Sequence, residues 1–297
     1  MTGPATGPAT GPATGPATGP AHFGARFRAA LDARGPFCVG IDPHAALLHD
    51  WGLTDDVAGL ERFALSVVDA VAPWCSVVKP QSAFYERFGS RGVAVLEQVI
   101  EASRAAGALV LLDVKRGDIG STSQAYADAY LDPASPLAAD AITVSPYLGF
   151  GSLSPFVDAA RRHDAGLFVL ALTSNKEGPE VQHASVMPGE SVGERMLEHL
   201  RTLNDDAAPL GSFGAVVGAT IDNAIDERTV SFDVNGPILA PGFGAQGGTA
   251  ADIRRIFGSA AGNVTASSSR EVLRAGPDAA AMRDAVRRAN DALVGLG

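Results

Sequence analysis

Eight short apolar runs lie between residues 36 and 267, and each is followed by a stretch with helical periodicity. Runs of this length predict buried strands, whereas apolar residues three or four positions apart predict amphipathic helices. Strands that alternate with helices are joined by right-handed crossovers and pair in parallel. The predicted strands are Pro36–Asp42, Cys75–Lys79, Ala106–Lys115, Ala141–Ser145, Leu167–Thr173, Ala215–Thr220, Pro237–Ala240 and Val264–Ser267.

Eight strand–helix units over about 250 residues predict an α/β protein that closes as a (β/α)8 barrel, the TIM barrel. An open, doubly wound sheet is the alternative, but it usually ends after about five or six strands. A length of 297 residues and a hydrophobic content of 46% are sufficient for one large core. We therefore expect residues 22–297 to form a single barrel domain, beginning with a short helix that has Phe23, Phe27 and Leu31 on one face.

Residues 2–21 consist of five copies of Thr-Gly-Pro-Ala. This composition offers almost no apolar surface to bury, so packing cannot offset the entropy lost on ordering the chain. The repeat of four residues also differs from the glycine at every third position that collagen requires. We therefore predict a disordered tail over residues 1–21.

The charge balance limits the classes of partner. With 23 Lys and Arg against 33 Asp and Glu, the net charge is −10, which argues against nucleic acid and anionic membrane surfaces but allows a small anion bound by local cations. The chain has neither an apolar run of about 18 residues nor a signal-peptide pattern. Cys38 and Cys75 lie in apolar runs without Cys-x-x-Cys spacing, which predicts two reduced, buried thiols in a cytoplasmic protein.

Three successive predicted strands end in ionisable residues: Asp42 in the first, Lys79 in the second, and Asp113 and Lys115 in the third. Asp113 and Lys115 share one face because side chains alternate along a strand, and Asp118 follows in the next loop. The C-terminal ends of the strands carry the chemistry of a barrel, and a lysine in an apolar strand is costly unless it meets carboxylates. We interpret these residues as one site. Separate surface charges are the alternative.

The seventh strand runs into a glycine-rich segment, Pro241–Gly248. The segment contains Gly-x-Gly-x-x-Gly, but it lies late in the chain and lacks the acidic residue about 20 positions on that dinucleotide sites use. We favour a role in which backbone N–H groups approach a phosphate. The eighth strand ends in Ser-Ser-Ser-Arg270 before a predicted helix, which adds a guanidinium group. A pairing of Arg270 with Glu271 or with a helix end is the alternative.

Five motifs in this order resemble the orotidine 5'-phosphate decarboxylase family, in particular its bacterial, mycobacterial-type branch. They are Gly-Ile-Asp42-Pro-His, Val-Lys79-Pro-Gln, Asp113-Val-Lys115-Arg-Gly-Asp118-Ile, Pro241-Gly-Phe-Gly-Ala-Gln246-Gly-Gly and the segment at Arg270. The resemblance extends over about residues 22–295. It implies a TIM barrel that converts orotidine 5'-phosphate to UMP, in the last step of de novo UMP biosynthesis, without a metal or an organic cofactor.

The resemblance also implies catalytic roles. Lys115 stabilises the electron pair left on ring carbon C6 and then protonates that carbon. Asp113 and Asp118 flank it and, with Lys79, form a chain of alternating charges in which the lysines stay protonated. Asp118 and Thr122 belong to the neighbouring subunit's site in the family, so a homodimer is implied.

The substrate contacts that the resemblance implies are divided among the parts of the nucleotide. The substrate-binding residues are Asp42 and Lys79 for the ribose, Ser145 for the pyrimidine, Gln246 between the pyrimidine and the phosphate, and Gly247, Gly248 and Arg270 for the phosphate. The resemblance assigns no role to the loop over residues 174–187.

Three other functions fit parts of the pattern. A phosphosugar enzyme such as a hexulose-phosphate synthase has a similar Asp-x-Lys-x-x-Asp motif. It would need a magnesium ion, so activity that survives a chelator would count against it. A Schiff-base aldolase would use Lys79 or Lys115, and borohydride would trap the imine. A barrel that only binds nucleoside monophosphates would bind UMP but release no carbon dioxide from its 6-carboxy derivative.

Overall fold

The computed structural model describes residues 21–221, 224–225, 228–244 and 246–296. Eight parallel strands form a closed barrel, each paired with its neighbours in the chain and the last paired with the first. The predicted (β/α)8 fold is therefore confirmed, and the open sheet is wrong. The strands are β1 (Phe37–Ile41), β2 (Val77–Pro80), β3 (Leu109–Arg116), β4 (Ala141–Val144), β5 (Gly166–Leu172), β6 (Phe213–Val217), β7 (Ile238–Pro241) and β8 (Val264–Ser268).

Helices connect successive strands, and two short antiparallel strand pairs, residues 185–187 with 190–191 and residues 224–225 with 228–229, interrupt two of the connections. Side-chain caps begin several helices: the Asp56 carboxylate accepts the Gly59 N–H, and Ser191 with Glu194 forms a capping box. The helices are α1 (Phe23–Arg34), α2 (Ala45–Asp50), α3 (Val57–Val71), α4 (Ala83–Glu86), α5 (Ser90–Ala105), α6 (Gly120–Leu131), α7 (Ser154–Arg162), α8 (Gly178–Gln182), α9 (Val192–Leu203), α10 (Ala250–Phe257), α11 (Arg270–Leu273) and α12 (Ala279–Ala292).

The core has two parts because strand side chains alternate between the two faces of the barrel wall. One part packs the outer face of the strands against the helices. The other fills the barrel interior, and it includes Cys38, Val77, Leu111, Phe168 and Leu239. Both parts exclude water from the strands, which makes the barrel a rigid frame for the residues at its ends.

Helix α1 closes the N-terminal end of the barrel. Its apolar face, Phe23, Phe27 and Leu31, joins the interior cluster, as the sequence predicts. The Arg28 guanidinium donates to the carbonyl oxygen of Gly262, 2.7 Å away, at the start of the segment that enters β8. Helix α1 thus seals the barrel interior at this end.

Cys38 and Cys75 are free and fully buried, as predicted. Burial raises the pKa of the Cys38 thiol to about 12 and raises that of Cys75 as well. No helix among the described residues is long and apolar enough to cross a bilayer. The predicted disordered tail, apart from Ala21, lies outside the described residues.

Candidate active site

A cavity of about 580 Å³ opens at the C-terminal ends of the barrel strands. The closed architecture brings side chains from distant parts of the sequence to this one opening. Of the residues predicted from sequence, six line the cavity: Asp42, Lys79, Asp113, Lys115, Gln246 and Arg270.

The Asp113 carboxylate lies between two ammonium groups at the base of this cavity. Lys115 Nζ lies 2.7 Å from both carboxylate oxygens, and Lys79 Nζ lies 2.9 Å from Oδ2. Asp113 and Lys79 are almost fully buried, whereas the Lys115 side chain is 45% exposed. The Lys115 amine is therefore both fixed by the carboxylate and accessible to a molecule in the cavity.

Neighbouring opposite charges determine the direction in which the pKa values of Asp113 and Lys79 shift. Burial alone would raise the pKa of Asp113, but the ammonium groups of Lys79 and Lys115 outweigh it and hold that pKa well below its usual value. Burial alone would lower the pKa of Lys79, but Asp113 and Asp42 outweigh it and raise that pKa. At neutral pH the site thus contains an ionised Asp113 and a charged Lys79.

Lys115 occupies an irregular end of β3. The pairing of β3 with β4 shifts register between Leu112 and Arg116, and Lys115 has a φ of 45°, which non-glycine residues rarely adopt. Its N–H donates to Thr143 Oγ1, 3.0 Å away, instead of to a strand carbonyl. Asp113 and Lys115 meet as the sequence predicts, but the bulge, and not regular alternation alone, sets the direction of the lysine.

Asp42 has an unsatisfied buried oxygen. Its Oδ1 is buried and has no hydrogen-bond partner among the described residues, while Oδ2 lies beside Gly40, where a Cβ would be only 3.0 Å from it. A buried carboxylate oxygen without a donor is costly. Asp42 is therefore suited to accept a hydrogen bond from a ligand hydroxyl.

Arg270 extends from the start of α11 into the cavity lining. It is exposed and forms no ion pair with another described residue, so the alternative pairing with Glu271 is absent. The Glu271 carboxylate lies instead against Gly244 of the glycine-rich loop, in space that a side chain at position 244 would occupy. The Arg270 guanidinium remains available to an anion.

The glycine-rich loop is held by its own backbone. The N–H of Gly247 donates to the carbonyl oxygen of Gly244, 2.8 Å away, and the N–H of Gly248 donates to that of Gly242, 3.1 Å away. Gly242, Gly244 and Gly247 all have positive φ values, which explains the glycines at these positions. The two N–H groups predicted to bind phosphate therefore point into the loop, and binding through them requires the loop to change conformation.

Five predicted residues lie outside the cavity lining: Gly247 and Gly248 of the glycine-rich loop, and Asp118, Thr122 and Ser145. Asp118 accepts the N–H of Ile119 through Oδ1, 2.8 Å away, and Thr122 is exposed on the first turn of α6. The N–H of Ser145 donates to the carbonyl oxygen of Arg116, 2.8 Å away, so Ser145 joins the loops after β3 and β4. Within one chain these residues do not meet the buried charges.

The loop after β5 supplies lining residues that sequence reasoning missed. Thr173, Ser174, Asn175 and Gln182 all face the cavity. The Gln182 amide accepts the Thr173 N–H at 2.8 Å and donates to its hydroxyl at 2.7 Å, which ties the loop to the end of β5. The sequence did indicate these lining residues, since the polar run Thr-Ser-Asn directly follows an apolar strand. Thr143, a hydroxyl residue inside β4, was missed in the same way.

A closed barrel, buried charges and an exposed arginine that forms no ion pair with another described residue define a (β/α)8-barrel protein whose cavity opens at the C-terminal ends of the strands. The family model described as "Orotidine 5'-phosphate decarboxylase / HUMPS family" matches residues 35–285. The chain therefore belongs to this family.

Individual relatives agree with this assignment. A Nocardioides protein named orotidine 5'-phosphate decarboxylase is 72% identical over 271 residues, which cover 90% of this chain and 97% of the relative. The crystal structure of a Streptomyces avermitilis relative is 60% identical, with a TM-score of 0.89 over 92% of this chain and 95% of that one. Leishmania donovani OMP decarboxylase is 30% identical, with a TM-score of 0.73 over 92% and 99% of the two chains.

Proposed function

We propose that this chain catalyses the decarboxylation of orotidine 5'-phosphate to UMP, the last step of de novo UMP biosynthesis. One observation carries the proposal: the Asp113 carboxylate fixes the accessible Lys115 ammonium through both of its oxygens, at 2.7 Å each. The reaction leaves an electron pair on C6 with no conjugated group to accept it. A fixed cation beside that carbon stabilises the pair without any reorganisation.

Lys115 acts both as that cation and as the acid. The bond between C6 and the carboxylate breaks, carbon dioxide leaves, and the electron pair remaining on C6 takes a proton from Lys115 Nζ. The amine then regains a proton from water, which the 45% exposure of the side chain supports. Asp113 holds the amine in place and keeps it charged, and Lys79 anchors Asp113 from the other side.

The ribose hydroxyls bind Asp42 and Lys79. The unpaired, buried Oδ1 of Asp42 supports this assignment because a hydroxyl donor would satisfy it. Ser174 is a better pyrimidine contact than Ser145, since Ser174 lines the cavity and Ser145 lies outside it.

The phosphate binds Arg270, with Gln246 between it and the pyrimidine. The N–H groups of Gly247 and Gly248 join them once the loop exchanges its internal hydrogen bonds for bonds to the phosphate. This exchange couples a distant part of the substrate to closure of the site, and binding energy used in this way lowers the barrier to the reaction.

The active protein is a homodimer in which Asp118 and Thr122 complete the partner's site. Support comes from three exposed apolar side chains on the adjoining loops after β3 and β4: Ile119 (63% exposed), Tyr147 (76%) and Leu148 (54%). Apolar side chains grouped in this way indicate a protein contact, and a two-fold dimer would bury the same patch on both subunits. The free, buried thiols support a cytoplasmic location.

The test follows the absorbance of orotidine 5'-phosphate with the purified chain, with and without a chelator. We expect equal turnover in both, because no step uses a metal, and none with Lys115→Ala. No loss of orotidine 5'-phosphate in either sample would contradict the proposal, and activity toward a phosphosugar that disappears with the chelator and returns with magnesium would instead favour a phosphosugar synthase. A Schiff-base mechanism at Lys79 is disfavoured, since it needs a lowered pKa and the carboxylates raise that of Lys79.

A further inference from the structure

We propose that Thr143 is a positioning residue for this reaction: its hydroxyl holds Asp113 and Lys115 in their working geometry. The inference rests on the proposed function, since Lys115 is the group whose placement decides the rate. Thr143 lies in β4, faces the barrel interior and is 1% exposed. It touches the catalytic groups from the neighbouring strand.

The Thr143 hydroxyl accepts one hydrogen bond and donates another. Thr143 Oγ1 accepts the N–H of Lys115 at 3.0 Å and donates to Asp113 Oδ1 at 2.7 Å. A hydroxyl has one donor and two acceptor positions, so both bonds form without competition, and each polarises the other. One small side chain thus connects the backbone of the lysine to the carboxylate that holds its amine.

The first bond supports a strained stretch of backbone. Lys115 has a φ of 45°, and the ladder between β3 and β4 is broken between Leu112 and Arg116. A non-glycine residue persists in this conformation only where its surroundings enforce it. The Thr143 hydroxyl provides the acceptor that the broken ladder does not, and it therefore keeps Lys115 at the bulge.

The second bond fixes the rotation of the carboxylate. Asp113 Oδ2 receives Lys79 and Lys115, whereas Oδ1 receives Lys115 and Thr143, so each oxygen has two donors. Without the hydroxyl, Oδ1 loses one of its two donors and the carboxylate can turn toward the two amines. The Lys115 amine would then move away from the position that C6 requires.

The test compares Thr143→Val, which preserves shape and removes the hydroxyl, with Thr143→Ser, which retains it. Thr265→Val is the matched control, because Thr265 is another buried threonine of the barrel wall, whose hydroxyl binds the Pro36 carbonyl 3.1 Å away at the closed end. We expect kcat to fall about 10- to 100-fold in Thr143→Val, the effect of one lost hydrogen bond to a charged group. The serine variant should restore most of kcat, and the control should keep it.

The expected pattern separates positioning from a merely structural role. KM and the affinity for UMP should change less than about threefold in Thr143→Val, because the ribose and phosphate contacts are intact. Unchanged kcat with a lowered melting temperature would show that the hydroxyl is only structural and would overturn the inference. A serine variant as slow as the valine variant would also overturn it.

A second measurement does not depend on turnover. Amide hydrogen exchange of the peptide containing Lys115 should be faster in Thr143→Val than in the wild type, the serine variant or the control. Unchanged exchange would overturn the inference even if kcat fell. If the wild type releases no carbon dioxide from orotidine 5'-phosphate, the proposed function fails, while exchange still decides whether the hydroxyl holds the bulge.

Discussion

Replacing Asp113 by Asn removes the charge that two ammonium groups share while keeping the side-chain shape. Lys79 is the group most affected, because its side chain is 8% exposed and its Nζ lies 2.9 Å from Asp113 Oδ2. Breaking a buried ion pair from one side costs about 3 to 5 kcal/mol, because the remaining charge stays buried without its partner. Lys115 adds less, since it is 45% exposed and water screens its charge.

This cost corresponds to a measurable drop in thermal stability. At roughly 2 °C per kcal/mol for a chain of this size, the melting temperature of Asp113→Asn should fall by roughly 6 to 10 °C at pH 7. Circular dichroism melts of the wild type and the variant provide the measurement. Asp55→Asn is the control, because Asp55 forms its ion pair with Arg87 at the surface, where such pairs contribute little.

The shifted pKa values of Asp113 and Lys79 make the stability of the wild type depend on pH at the acidic and the basic extreme. In the wild type, the lowered pKa of Asp113 contributes stability that is complete above the usual value of 3.8 and is lost as the pH falls through the folded-state pKa. The raised pKa of Lys79 contributes stability that is complete below 10.5 and is lost as the pH rises through its folded-state pKa. Between about pH 7 and 9, the contribution of Asp113 and Lys79 to the stability of the wild type should therefore stay constant.

The variant should behave differently over the same range. Without Asp113, burial is the larger effect on Lys79 and lowers its pKa, so the unfolded chain holds the proton more tightly than the folded chain. Stability then rises with pH. A melting temperature of Asp113→Asn within about 1 °C of the wild type at pH 7 would refute this reasoning. It would also be refuted if, between about pH 7 and 9, the melting temperatures of the variant and the wild type fell by the same amount.

Three further experiments probe other parts of the site. Lys115→Ala and Asp118→Asn should each be nearly inactive, and their mixture should regain activity through hybrid dimers with one intact site; demonstrated subunit exchange without activity would contradict the shared site. Arg270→Ala should lose about two to four decades of kcat/KM, because two charged hydrogen bonds are worth about 3 to 6 kcal/mol, whereas Arg274→Ala, outside the cavity lining, should not. A thiol reagent at pH 8 should leave the native protein unmodified and react after unfolding, since burial raises the pKa of both thiols, Cys38 and Cys75.

The barrel was predictable because its strands are buried on both faces. Continuous apolar runs mark such strands, and the observed strands begin and end within about three residues of the predicted positions. The end of β6, predicted at Thr220 but observed at Val217, and the start of β3, predicted at Ala106 but observed at Leu109, both differ by three residues. Ala106 instead caps helix α5, and Gly107, with a φ of 86°, turns the chain before the strand begins. An apolar alanine beside a strand carries no signal that distinguishes these roles.

The charged residues of the site were also predictable, since ionisable groups at three successive strand ends have no packing explanation. The contacts that organise them were not. Thr143 meets Lys115 from 28 positions away along the chain, and the meeting depends on the register shift between two strands, which hydrophobic pattern does not encode. Ser174 was missed because its loop was assigned no role, and Asp118 does not line the cavity of its own chain.

The sealed end of the barrel has a practical consequence. Helix α1 carries the start of the described chain on the face opposite the cavity, with Phe23 inserted among the interior residues. A bead, dye or fusion partner coupled ahead of this helix would begin on the far side of the molecule from the catalytic opening. An enzyme immobilised by that route should present its mouth to the surrounding solution, so attachment there need not slow the entry of a nucleotide.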